Sequence, residues 1–94
     1  MKYDSIAVGK RIAELRKQLG YSQEAFAEEL FVTRSLLSKI ETGVRNPTIS
    51  MLIDIADIAD VSIDYLIRGN SELRRIKAEL LDAVVGLEAI IKRM

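Results

Sequence analysis

Arg34, Ser35, Ser38 and Lys39 place four hydrogen-bonding side chains within six residues, and Gln23, Arg45 and Asn46 lie close to them in the chain. A guanidinium fork, an ammonium, hydroxyls and amides suit polar recognition of an acceptor-rich partner more than they suit making or breaking bonds. The rest of the composition agrees. With no Cys and no His, the chain offers no thiolate or imidazole to act as nucleophile or base. It can form neither a disulfide framework nor a Cys/His zinc site. The remaining titratable groups form no catalytic constellation, and there is no glycine-rich phosphate loop. No enzyme activity, cofactor, metal or small-molecule ligand is therefore expected.

Every boundary signal in the chain is a helix signal, and no window shows sustained strand-like alternation. Ile6, Val8, Ile12, Leu15 and Leu19 recur at helical spacing and are followed by Gly20, a C-cap residue. Ser22 can cap a short second helix with Ala25, Phe26, Ala27 and Leu30 on its inner face. Thr33 opens a third segment, 33–42, which stops at Thr42-Gly43. Val44-Arg45-Asn46-Pro47 then reads as a loop, because the residue before proline is pushed out of helical geometry. Thr48 caps a fourth helix carrying Ile49, Leu52, Ile53, Ile55, Ala56 and Ala59. Ser62 caps a fifth with Ile63, Tyr65, Leu66 and Ile67, which ends at Gly69-Asn70. A sixth runs from Ser71 to Met94. The expected fold class is all-α.

Two short helices joined by about three residues form a helix-turn-helix. In that arrangement the first helix crosses the DNA backbone and the second lies in the major groove, which is about 12 Å wide. Segment 33–42 suits the second role, with Thr33, Arg34, Ser35, Ser38 and Lys39 outward and Leu37 and Ile40 inward.

The stretch from "GKRIAELRKQLGYSQEAFAEEL" through "FVTRSLLSKIETGVRNP" to "LIDIADIADVSIDYL", residues 9–66, resembles the Cro/C1-type (Xre-type) helix-turn-helix family. The resemblance implies a five-helix lambda-repressor-like DNA-binding domain, here over residues 1–69. It implies base reading by Arg34, Ser35 and Lys39. Leu36 falls where an apolar side chain could meet a thymine methyl, and Ser38 is placed either on DNA or on the plain helix surface. Gln23 matches a glutamine that holds a phosphate and braces the reading helix. Arg45 and Asn46 match the loop that grips the backbone, and Lys10 is a further phosphate candidate. Arg16 and Glu41 match a buried arginine–glutamate pair that belongs to architecture.

Blander roles compete with these. Arg34 and Lys39 can be solvated charges, Gln23 can serve helix capping, and Tyr21 suits packing better than ligand contact. Glu24, Glu28 and Glu29 form an acidic face expected to point away from phosphates. One residue departs from the family pattern: Phe31 stands in the turn where the family has glycine in a left-handed conformation. Either the turn is remodelled or Phe31 accepts the strain.

Beyond this core, in residues 70–94, Leu73, Ile76, Leu80, Ala83, Leu87, Ile90 and Met94 follow alternating spacings of three and four. Val84 and Ile91 widen the stripe, and Leu81 and Val85 add apolar surface elsewhere. The expectation is an oligomerisation helix using Leu73, Ile76, Leu80, Val84, Leu87, Ile90 and Ile91. It would make a homodimer, with a tetramer possible, that reads a palindrome in double-stranded DNA. A tail folded back over its own core, or bound to a different protein as in an antitoxin or anti-regulator, are the alternatives.

Formal net charge is zero, but residues 1–47 hold eight Lys/Arg against six Asp/Glu, and residues 48–70 hold four Asp against Arg68. Positive charge is biased toward the half that carries the reading segment. The N-terminal Met-Lys-Tyr-Asp-Ser-Ile lacks a signal-peptide apolar region, and no apolar run approaches the ~20 residues of a membrane span. A cytoplasmic protein is expected.

Overall fold

The computed structural model describes residues 2–69 and 72–93; the side chains of residues 72–78, Ala89 and Arg93 lie outside that description. Six helices follow one another: α1 (Ser5–Gln18), α2 (Gln23–Glu29), α3 (Arg34–Glu41), α4 (Ile49–Ala59), α5 (Ile63–Arg68) and α6 (Glu72–Arg93). No strand occurs among the described residues, so the fold is all-helical.

Local chemistry explains where the first five helices begin. Asp4, Ser22, Thr33, Thr48 and Ser62 are extended N-caps, and their side chains accept the backbone N–H of Ala7, Ala25, Leu36, Met51 and Tyr65 respectively. Each such cap contributes about 1 kcal/mol to its helix. Thr33 is thus the cap of α3 and not its first residue.

Helix α1 is the hub, packed against α3, α4 and α5. It contributes Val8, Ile12 and Leu15 to a core completed by Phe26, Ala27, Leu30, Leu37, Ile40, Met51, Leu52, Ile55, Ala56 and Leu66. A Cβ at Gly9 would stand 2.2 Å from the Ile40 carbonyl oxygen, so this glycine lets α1 lie directly on the C-terminal end of α3. Arg11 closes the far side by donating from Nη1 to the carbonyls of Leu66 and Ile67, at 3.1 and 3.0 Å. These are terminal carbonyls of α5, which have no partner within their own helix.

The core is narrower than periodicity suggests. Ile6 and Leu19 of the expected α1 stripe are exposed, as are Ile49 and Ile53 of α4, whereas Met51 is buried. Helix α4 is apolar on several sides, so spacing alone does not select its inner face; packing against α1 and α5 does. Helix α6 is absent from the extensive helix–helix contacts among the described residues. Leu80, Leu81, Val84, Val85, Leu87, Ile90 and Ile91 are each 50–67% exposed, so the described part of α6 does not fold back over the core.

Candidate nucleic-acid interface

Helix α3 buries Leu37 and Ile40 and turns Arg34, Ser35 and Lys39 to solvent, with Leu36 and Ser38 half-buried at the edges. Its position is set from both ends. At the N-terminus Thr33 Oγ1 accepts the Leu36 N–H at 3.1 Å. At the C-terminus Thr42 Oγ1 donates to the Ser38 and Lys39 carbonyls, at 3.0 and 3.2 Å. The Lys39 carbonyl also receives the Val44 and Arg45 amides at 2.9 and 3.2 Å, so the start of the following loop is pinned to the last turn of α3.

A polar network fixes α3 against α1 and α2. Arg16 Nε donates to Glu41 Oε2 at 2.8 Å and its Nη2 to Glu41 Oε1 at 3.2 Å, while Nη1 reaches the Tyr21 carbonyl at 2.8 Å. Gln23 Nε2 donates to the same Glu41 Oε1 at 3.0 Å. Arg16 is only 8% exposed, and its charge is met by a bidentate carboxylate. Among the described residues no buried side-chain nitrogen or oxygen lacks a partner.

Gln23, Arg34, Ser35, Ser38 and Lys39 together line an open concavity of about 520 Å³ between the start of α2 and the outer side of α3. Its surface is rich in donors and carries two cations. Leu36 is not part of the lining. Arg45 and Asn46 are exposed on the loop after α3, and Lys10 is exposed on α1 beside Gly9, all outside this concavity. Glu24, Glu28 and Glu29 are exposed and do not line it either. Tyr21 packs on Phe26, with ring centroids 5.2 Å apart. Leu80, Val84, Leu87, Ile90 and Ile91 are exposed on α6, while the side chains of Leu73 and Ile76 lie outside the described residues.

Phe31 keeps the left-handed conformation, with φ at +56°. The turn is therefore not remodelled, and the Phe31 N–H still closes onto the Glu28 carbonyl at 3.1 Å. The ring gains no packing in exchange, since the residue is 93% exposed.

Sequence reasoning overlooked three supporting residues: Gly9, Arg11 and Ser5, whose Oγ donates to the Gly43 carbonyl at 3.1 Å. Gly9 carries a readable signal, a glycine amid a helical pattern that otherwise costs about 1 kcal/mol. The partners of Arg11 and Ser5 are 38 to 56 residues away in the chain, and nothing local announces them.

Residues 12–66 match the helix-turn-helix family. The chain is 43% identical over 58 residues to the uncharacterised HTH-type transcriptional regulator YazB of Bacillus subtilis, covering 62% of this chain and 84% of that protein. It spans 66%, 53% and 60% of the length of other Bacillus regulators that it matches. The crystal structure of the biofilm master regulator SinR in complex with DNA superposes with a TM-score of 0.57 at 40% identity, over 63% of this chain and 95% of that one. The restriction-modification controller protein C.AhdI of Aeromonas hydrophila superposes with a TM-score of 0.62 at 31% identity, over 68% and 97%. With the fold, the capped turn and the matched span in agreement, the chain belongs to the Cro/C1-type helix-turn-helix family, whose relatives named here are regulators of transcription.

Proposed function

We propose that this protein is a cytoplasmic, sequence-specific regulator of transcription, a repressor that reads a palindromic operator in double-stranded DNA as a homodimer. The observation that carries the reading is the shared concavity of Gln23, Arg34, Ser35, Ser38 and Lys39 on the exposed side of α3. An exposed helix with donors outward and aliphatics inward fits the major groove. Arg34, Ser35 and Lys39 read base edges, Arg34 by a bidentate contact to guanine O6 and N7, with Ser38 and Leu36 at the margins. Gln23, Arg45, Asn46 and Lys10 hold phosphates and set the register. Residues 1–69 are the reading head. Residues 70–94 join two heads, so that two copies of α3 meet half-sites about one helical turn apart, or a multiple of it. Occupying a promoter then represses it.

The test is selection of bound sequences from random duplex DNA, run with light-scattering mass on the same preparation. An enriched inverted repeat and a mass of at least two chains support the reading. A well-folded protein that enriches no sequence overturns it. In that case the exposed apolar side chains of α6 favour the second reading, a protein-interaction module of antitoxin or anti-regulator type.

A further inference from the structure

Ser5 and Gly9 stand about one turn apart on α1 and share a stripe of it. That stripe runs along the end of α3. A Cβ at Gly9 would stand 2.2 Å from the Ile40 carbonyl oxygen and 2.8 Å from that of Glu41. Ser5 Oγ donates to the Gly43 carbonyl at 3.1 Å. Gly43 takes φ +82°, and a Cβ there would come within 2.8 Å of the Ile6 Cα. Both its conformation and the close approach of α1 therefore require glycine. The Gly43 carbonyl and the Val44 N–H belong to one planar peptide unit. Ser5 holds the oxygen of that unit from α1, and the Lys39 carbonyl holds its N–H from α3 at 2.9 Å. A rigid plane fixed at both ends sets the heading of the chain just before Arg45 and Asn46. The Arg45 N–H adds a bond to the same Lys39 carbonyl at 3.2 Å. On the exit side Pro47 has its φ locked by its ring, and Thr48 caps α4 directly after it. Arg45 and Asn46 are exposed between these two fixed ends.

We propose that Ser5 is a positioning residue for DNA binding: its hydroxyl holds the Gly43–Val44 peptide so that Arg45 and Asn46 meet phosphate, and Ser5 itself touches no DNA. The proposal rests on the DNA reading above, in which Arg45 and Asn46 hold phosphates. Without the Ser5 hydroxyl the peptide keeps its anchor on α3 and can rock about it, so the loop samples headings that miss the phosphate. Phosphate contacts fix register and carry no sequence information. Loss of Ser5 therefore lowers affinity alike on every sequence and leaves the base preferences of α3 in place. Its effect runs through Arg45 and Asn46 and disappears when they are gone.

Ser5→Ala keeps the Asp4 cap of α1 and introduces a strong helix former, so the domain stays folded, as far-ultraviolet circular dichroism checks. Two measurements on the full chain test the proposal. The first needs no DNA. Amide hydrogen exchange at Val44 and Arg45 is expected to quicken at least about threefold in Ser5→Ala, while Leu37 and Ile40 inside α3 are unchanged. The second is binding to a duplex of about three helical turns that carries the selected inverted repeat, and to a random-sequence duplex of the same length. Ser5→Ala is expected to weaken both by about threefold to tenfold, the factor that a net hydrogen bond carries. In an Arg45→Ala/Asn46→Ala background the same change is expected to weaken neither by more than about 1.5-fold. Unchanged exchange at Val44 and Arg45 overturns the proposal. So does an equal loss of affinity with and without Arg45 and Asn46, which would make Ser5 a direct contact or a global stabiliser. Wild-type binding that is indifferent to Ser5 sinks this proposal alone, whereas a wild type that binds neither duplex sinks the DNA reading and this proposal with it.

Discussion

Arg34 and Arg16 sit on neighbouring elements and are expected to respond very differently to loss. Arg34 is exposed at the start of α3, so Arg34→Ala leaves the fold intact. Under the proposed reading it costs about 1–3 kcal/mol of operator affinity and relaxes preference at one base position. Quantitative binding to a panel of single-base operator variants checks this; equal weakening on every sequence would place Arg34 on phosphate only. Glu41→Ala instead strands a guanidinium that is only 8% exposed. The cost expected for breaking such a pair is about 3–5 kcal/mol, read as a lowered urea midpoint whether or not DNA is present. At Phe31 the sign reverses. A left-handed non-glycine residue costs about 1–2 kcal/mol, partly offset by the greater unfolded-state freedom of glycine. Phe31→Gly is therefore expected to stabilise the domain by about 1 kcal/mol, seen as a higher melting temperature. An unchanged or lower one would show that the exposed ring does packing work after all.

At the scale of elements, the helix starts were legible because capping is local chemistry. Ser22, Thr33, Thr48 and Ser62 announce their helices from sequence and each accepts the backbone N–H three residues on. Faces were less legible. Ile6, Ile49 and Ile53 have the right residue type for a core yet point to solvent, since hydrophobic spacing constrains a helix only when its other sides are polar. The tie from Arg11 to α5 depends on a separation of 55 to 56 residues, invisible to any window. For the interface the division is similar. The resemblance picked out Gln23, Arg34, Ser35 and Lys39, and Ser38 was open between DNA contact and plain surface, but only the folded chain places all five around one concavity. Because Thr33 orders the turn bearing Arg34 and Ser35, Thr33→Ala is expected to cost about 1 kcal/mol of stability. It should also weaken operator binding, and thermal melts and titrations on one preparation measure both.

For the whole molecule, charge is the informative quantity. A neutral total means that any attraction to DNA comes from local cations rather than from the field of the entire protein. In the proposed docking, Arg45 meets phosphate and not a base. Arg45→Ala is then expected to weaken binding about equally on all sequences and to lower the slope of log affinity against log salt by about 1 per reading head. A sequence-selective effect would move Arg45 into the groove.

The shared carboxylate of Glu41 has a further consequence. Both of its oxygens are already engaged, one by Arg16 alone and the other by Arg16 and Gln23. A glutamine amide has two N–H donors, so Gln23 can keep Glu41 with one hydrogen and offer the other to an arriving anion. In the proposed docking the Gln23–Glu41 hydrogen bond need not break for Gln23 to reach a phosphate. In that docking the reading surface meets DNA with Gln23 already ordered by Glu41, so the cost of ordering it falls on folding rather than on encounter. Under that reading, association is expected to be limited by diffusion and orientation rather than by internal rearrangement, and differences among operator sequences are expected in how long the protein stays.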